Sequence, residues 1–198
     1  MFEKITTLIV SNLKIKPKLI ALDGSGFTSN NTDKYYSKIR GNKRKHYTKS
    51  HIAIDVDTKI ILYSQAVKGP RHDTKFAIAS IRGIKKYKPE YILADKAYDT
   101  EPIRRCINKE IKAKDQIPLK SNFTHGVYRR KSQKTFQKEI YNRRGNVENV
   151  FSVIKRKFSG INKSKTTRLR NKETRLKTLV YNIYRSIIIS KWGFQQSH

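Results

Sequence analysis

Apolar residues come in short, separated runs: KLIALDG, HIAIDV, IILYSQAV and YILAD, each bounded by charged or turn-forming residues. Runs of that length read as buried strands. Residues 19–28, LIALDGSGFT, predict a strand ending in an acidic residue and a glycine turn, and the polar, basic residues 29–50 predict a surface loop or ribbon. HIAIDVD and IILYSQAV, joined through Asp57, Thr58 and Lys59, predict a hairpin. Asp73 is a cap signal, and Phe76, Ile78, Ala79, Ile81 and Ile84 after it predict a short helix with an imperfect apolar face. YILADKAY predicts a second buried strand ending in Asp. TEPIRRCINKEIK predicts a helix with Pro102 tolerated in its first turn, and AKDQIPLK one more short strand. Residues 121–137 are basic and read as irregular. One helix is expected over roughly 138–158 and a last one in KETRLKTLVYNIYRSIII, with Leu176, Leu179, Val180, Ile183 and Ile187 at helical spacing and expected in the core. This order predicts an α/β domain with a mixed sheet flanked by helices. Without a repeat or a linker-like stretch, a short N-terminal segment (1–18) is expected to precede a single domain (19–198) that includes the C-terminal helix.

Charge changes the picture. The 198 residues carry 45 Lys and Arg against 15 Asp and Glu, a formal charge of +30, while 36% of residues are hydrophobic. That apolar content argues for a folded domain rather than a basic tail. A folded domain so basic repels itself unless a polyanion binds it, and nucleic acid is the expected partner. No apolar run approaches a membrane-spanning length, so a membrane partner is not expected. The lone Cys106 excludes an intrachain disulfide and a cysteine zinc site, and the expected location is cytoplasmic.

With so few acidic residues, each placement matters. Asp23 and Asp95 both close buried strands, in LIALD and YILAD, at the edge where open α/β sheets bind ligands. Each alone reads equally well as a turn residue, Asp23-Gly24 being a common turn pair. Two carboxylates brought close repel, and a divalent cation is the usual reason to tolerate that. Glu148 is the only acidic residue in YNRRGNVENVFSVIKRKF, which holds five Lys and Arg. On a continuous helix Tyr141, Arg144, Glu148 and Lys155 fall within an arc of about 60°, beside an apolar stripe of Ile140, Val147, Phe151, Ile154 and Phe158. The alternative is a surface pair between Arg144 and Glu148 worth about a few tenths of a kcal/mol, and Gly145 is placed to loosen the helix start.

The spacing Tyr141-x2-Arg144-x3-Glu148-x6-Lys155 resembles the Y-R-E-K signature of DDE transposases of prokaryotic insertion sequences, in the group formed by the insertion-sequence four and five families. LDGSGF at 22–27 and LADKAYDT at 93–100 resemble the contexts of that group's two catalytic aspartates. RKHYTKSHIAID and GPRHD sit where the group has a basic stretch and a His-Asp pair, and the likeness runs from about residue 19 to the last helix. The resemblance implies a ribonuclease-H-like fold, with a mixed sheet carrying both aspartates and a later helix carrying the glutamate. The interval from Asp95 to Glu148 leaves no room for the large inserted β domain of some relatives.

It also implies phosphoryl transfer, as strand cleavage and strand transfer, at transposon ends. Asp23, Asp95 and Glu148 would hold two Mg²⁺ ions, with Mn²⁺ able to substitute. No covalent protein–DNA intermediate is implied, unlike enzymes with a His-x-His ligand pair, which is absent from this sequence. Arg144 and Lys155 would neutralise phosphate and Tyr141 would stack on or hydrogen-bond to DNA. Arg44 and Lys45, in the cluster RGNKRKHYTK, would track the DNA backbone. The implied partners are double-stranded DNA, both transposon ends and target, and a second copy in a homodimer on that DNA, with the protein nucleoid-associated. His51, His72 and His125 have no assigned role; His72-Asp73 reads equally as a capping pair. Only 22 residues precede Asp23, where full-length relatives usually carry a DNA-recognition region. A catalytic fragment, half of a split reading frame or a degraded element would each have that look. Two other functions fit the residues: a ribonuclease-H-like host nuclease, and an inactive DNA-binding transposase remnant.

Overall fold

The computed structural model describes residues 1–29, 47–121 and 126–195, with side chains described as far as residue 191. Its framework is a mixed sheet in the order β3-β2-β1-β4-β5. The middle strand β1 (Leu19–Ser29) pairs antiparallel with β2 (Tyr47–Asp55), which pairs antiparallel with β3 (Ile61–Lys68). On its other side β1 runs parallel to β4 (Tyr91–Leu93), and β4 parallel to β5 (Lys114–Gln116). The two-residue β6 (Ile161–Asn162) joins the far end of β1. A hairpin followed by parallel strands on the opposite side of the first strand is a ribonuclease-H-like arrangement, and helices cover both of its faces.

Side chains alternate between those faces with the two-residue period of a strand. Ile20, Leu22, Ala53, Ile92 and Ala94 pack against α2 (Thr74–Gly83) through Ala77 and Ile81, and against Ile103 and Ile107. Ile103 lies in α3 (Glu101–Arg105), which continues as a π-helical turn over Cys106–Ile111. Ala21, Phe27, Ile52, Ile54 and Leu93 face the other way, against Val147, Phe151 and Ile154 of α6 (Asn146–Phe158) and Leu179 of α7 (Thr167–Gln195). Helix α1 (Phe2–Asn12) docks through Phe2, Thr6 and Val10. The five main strands and the hairpin fall where the sequence reading places them, but with different extents: β1 runs on through Asp23 and Gly24 to Ser29 instead of turning there, because β2 pairs with it along that length, and β2 begins at Tyr47, inside the expected loop. Cys106 is buried.

The structure corrects that reading in four further places. Residues 127–135 form a helix, α4 (Val127–Thr135), although VYRRKSQKT has almost no apolar face. Its start is fixed instead by the Glu101 carboxylate, which accepts the N–H groups of Tyr128 (2.8 Å) and Arg129 (3.3 Å), left unpaired at any helix start. The expected helix over 138–158 is in three pieces: α5 (Lys138–Asn142), a 3-10 turn at Arg143–Gly145, and α6. A 3-10 turn advances each residue further round the axis than an α-helix does, so the single continuous stripe expected of these residues is broken between Tyr141 and Glu148, although Arg144 still reaches Glu148 four residues on. On α2, Ala79 is exposed and Ser80 buried in its place, because Ser80 bonds to His51.

The last correction concerns α7. Only Leu179 of its five expected core residues is buried; Leu176 (51%), Val180 (37%), Ile183 (41%) and Ile187 (52%) are exposed. Polar residues face inward because α7 lies against β3: Asn182 accepts from the Ile61 N–H at 2.8 Å and donates to the Ile61 carbonyl at 2.7 Å, and Thr178 meets Ser64 at 2.9 Å. Buried backbone groups need such partners more than the helix needs an apolar inner face. Among the described residues, no helix is long and apolar enough to cross a membrane.

Candidate active site

The parallel ladder between β1 and β4 pairs Leu19 with Tyr91, Ile20 with Ile92 and Ala21 with Leu93, then stops. Asp23 and Asp95 each stand two residues further on, at matching register. Ala21 and Leu93 point to the α6 face, and the strand period sends Asp23 and Asp95 the same way. Each carboxylate is fixed locally: Asp23 Oδ1 accepts the Gly24 N–H at 2.8 Å, and Asp95 Oδ1 accepts the Ala97 N–H at 2.7 Å, capping the 3-10 turn Lys96–Tyr98.

Across from them, Val147, Val150, Phe151 and Ile154 clamp α6 to the sheet and leave Glu148 in its exposed first turn. Glu148 accepts from Arg144 Nη2 at 2.5 Å; Arg144 is largely covered while the Glu148 side chain is 57% exposed. Lys155, two turns on, donates to Ser25 Oγ at 2.8 Å and lies over the Phe27 ring, which places its ammonium beside β1 just past Asp23. Tyr141 packs on Phe136 at 5.5 Å between ring centroids.

Burial pushes the Asp23 carboxyl up to about 6; the Gly24 N–H and the Arg144 charge oppose that, and the neighbouring Asp95 and Asp73 charges add to it. Asp23, Asp95 and Arg144 therefore share one electrostatic field, with Lys155 at its rim. Glu148 stands aside on Arg144. Among the described residues no three acidic, histidine or cysteine side chains form a ready ligand set. Arg44, Lys45 and His125 lie outside the described residues.

Sequence reasoning missed two neighbours of Asp23. Asp73 precedes α2 but makes no capping bond; its carboxylate turns to Lys49 Nζ at 2.7 Å, and Lys49 also reaches the Arg71 carbonyl at 3.1 Å. A Cβ on Gly24 would lie 2.1 Å from Asp73 Oδ1, so this approach requires glycine beside Asp23. Asp73 Oδ1 is buried with no hydrogen-bond partner among the described residues. The glycine itself was the signal, read instead as half of a turn pair. Lys49, Asp73, Arg71 and Lys120, with the exposed His72, line an open cleft of about 1040 Å³ that also takes in Ala97, two residues past Asp95. His51 is buried beneath, where desolvation lowers it to about 4 and keeps it neutral.

These residues fit a hard divalent cation. Asp23 is a buried carboxylate made costly by its surroundings and by two neighbouring carboxylates, and a cation relieves all of that. Mg²⁺ needs only one or two protein carboxylates when substrate phosphate and water complete its shell, so Asp23 and Asp95 suffice as a core. Glu148 is held away from them by its bond to Arg144.

The raised carboxyl has a pH signature. The folded form of Asp23 holds its proton more tightly than the unfolded one (about 6 against 3.8), so between those values the native state binds more protons and its stability falls as pH rises. In metal-free buffer, Asp23→Asn is expected to gain stability relative to the unmodified protein as pH rises from 4 to 7, with a constant difference above that. Urea unfolding across the range measures it; parallel profiles would show that Asp23 is not held in a desolvating site.

A mixed sheet with two aspartates beside its middle strands, and a basic helix bearing Glu148 packed across from them, is a ribonuclease-H-like scaffold. The profile of the transposase DDE domain family matches residues 14–183, and the chain belongs to that family. Two solved structures align over 93% of this chain. One is the Mos1 transposase catalytic domain with raltegravir and magnesium (9% identity, TM-score 0.35, 93% of that chain). The other is the Mos1 transposase paired-end complex with the left transposon end (11% identity, TM-score 0.33). The alignment spans 61% of the latter's chain. No curated protein matches the sequence.

Proposed function

We propose that this transposase domain cleaves and joins DNA at the ends of an insertion sequence of the four/five type by metal-dependent phosphoryl transfer. The observation carrying this reading is the register-matched pair Asp23 and Asp95 just beyond the last paired rung of β1 and β4, opposite the helix that bears Glu148. Asp23, Asp95 and Glu148 are the residues that would hold two Mg²⁺ ions, or Mn²⁺ in their place. Bound there, the metal supplies activation of the attacking oxygen and stabilisation of the leaving one. Arg144 and Lys155 neutralise the phosphates flanking the scissile bond and Tyr141 contacts the DNA. Arg44, Lys45 and the cationic cleft follow the backbone further out. Residues 19–198 act as the catalytic domain, working as a homodimer on double-stranded DNA in the nucleoid of the cytoplasm.

The ion pair between Arg144 and Glu148 favours a second reading, an inactive DNA-binding remnant, because it occupies one of the three carboxylates. One experiment separates the two. A duplex carrying the terminal sequence that flanks the gene is expected to be nicked only with Mg²⁺ or Mn²⁺, and Asp95→Asn to abolish nicking while binding persists. If about 6–10 phosphates are contacted, affinity in both proteins falls by about 10³–10⁵ between 50 and 200 mM salt. Binding without any cleavage would establish the remnant, and binding indifferent to salt would remove the electrostatic part of the proposal.

A further inference from the structure

The two aspartates stand just past the end of the β1–β4 ladder, Asp23 still paired with Ile52 of β2 and Asp95 beyond the end of β4. Past Ala21 and Leu93 no rung of the β1–β4 ladder sets their separation, although a metal site demands that it be set. On the opposite face of the sheet a buried polar chain crosses this gap. His51 lies on β2 directly across from Gly24, the residue after Asp23. Tyr98 ends the 3-10 turn that Asp95 opens. His51 Nε2 and the Tyr98 hydroxyl are 2.7 Å apart, and both side chains are only 1% exposed.

The direction of this bond follows from its neighbours. The Ser80 hydroxyl donates to the Phe76 carbonyl at 3.0 Å, so its oxygen is left to accept from His51 Nδ1–H at 2.9 Å. Nε2 is then the acceptor for the Tyr98 O–H. One end of the chain is anchored in α2. The other is fixed just beyond Tyr98, where the buried Asp99 carboxylate takes bonds from Arg104, Arg129 and the Lys120 N–H. A loop held at Asp99 and tied at Tyr98 to the strand beside Asp23 has little freedom left at Asp95.

We infer that the His51–Tyr98 hydrogen bond is a positioning strut that fixes the distance between Asp23 and Asp95, and with it the affinity of the site for its divalent cation. The inference rests on the proposed function. Neither residue touches metal or DNA; both act through the aspartates.

The two histidine nitrogens provide the test. His51→Gln keeps an acceptor near the Nε2 position, His51→Asn keeps only a donor near Nδ1, and Tyr98→Phe removes the hydroxyl while keeping the ring. Mn²⁺ binding is read by the loss of the free-ion electron spin resonance signal, and folding by urea unfolding in EDTA. His51→Asn and Tyr98→Phe are expected to weaken Mn²⁺ binding about tenfold, the scale of a lost supporting hydrogen bond. His51→Gln is expected to stay near the unmodified protein. Should both histidine variants fail to fold, Tyr98→Phe decides alone. Undiminished Mn²⁺ binding in Tyr98→Phe, or equal losses in His51→Gln and His51→Asn, overturns the strut while leaving the parent reading intact. Absence of Mn²⁺ binding by the unmodified protein overturns both.

Discussion

Replacing Arg104 by alanine is expected to remove about 3–5 kcal/mol of folding stability, the cost of stranding buried charges by deleting their partner. Its side chain is fully buried. Its guanidinium donates to Asp99 Oδ1 at 2.9 Å, to Asp115 Oδ2, and to the Ile117 carbonyl at 2.8 Å. Asp115 is further held by Asn108 and Ser132, and Asp99 by Arg129 and the Lys120 N–H. Burial works against a charged Asp99, yet the Lys120 N–H and the two guanidinium groups win and hold its carboxyl below the ordinary range. Its stabilisation is therefore present at neutral pH and lost as pH falls through that depressed value. Without Arg104, Asp115 keeps the neutral donors Asn108 and Ser132, and the Ile117 carbonyl loses the guanidinium that donates to it. Urea denaturation at pH 7 measures the loss. The exposed, bidentate pair of Arg82 and Glu110 is the comparison: Arg82→Ala should leave the midpoint nearly unchanged, since water solvates both groups. A midpoint equally insensitive to Arg104→Ala would mean that the ionic cluster does not hold the loop behind Asp95 in place.

That cluster shows where sequence reading ran out. Strands were legible because LIALD, HIAID and YILAD concentrate apolar residues in runs too short for helices, and the ends of two of them put Asp23 and Asp95 under suspicion. Helices held by polar contacts were not legible in the same way. Helix α4 is fixed by Glu101 at its start and by the Ser132–Asp115 bond, with no periodicity to betray it. Helix α7 turns Thr178 and Asn182 inward to satisfy β3, which reverses the meaning of its apolar stripe. Arg104, Asp99 and Asp115 are unremarkable in a chain with 30% charged residues, and only folding brings them together. The same holds for Lys49 and Asp73 beside Gly24, and for His51 and Tyr98, whose pairing depends on the register of β2 against β1. A pattern along the chain identifies the face a residue is on; it does not identify its partner across the sheet.

Glu148→Gln is expected to lower Mg²⁺-dependent nicking of a terminal-repeat duplex by at least about a hundredfold, the scale of losing one preorganised electrostatic stabiliser, while DNA binding is retained. Two roles compete for this carboxylate. In the structure it is the exposed half of an i,i+4 pair with Arg144, and an exposed pair of that kind contributes about 0.3–0.5 kcal/mol. On that role alone, glutamine would leave cleavage unchanged and shift the unfolding midpoint barely. Yet Arg144 also lies in the field of Asp23, so the bond that holds Glu148 aside is made by a cation already interacting with the proposed metal core. A phosphate entering the site competes for that guanidinium, and a divalent ion on Asp23 and Asp95 repels it. Both changes free Glu148 beside a partly built ligand set. Glutamine keeps the length of the side chain and its bond to Arg144 but is a weak, neutral ligand for a hard cation. The expected pattern is unaltered affinity for the duplex, a near-native unfolding midpoint and lost nicking. Full nicking by Glu148→Gln would assign Glu148 to the surface pair and leave Asp23 and Asp95 as the only acidic ligands of the site.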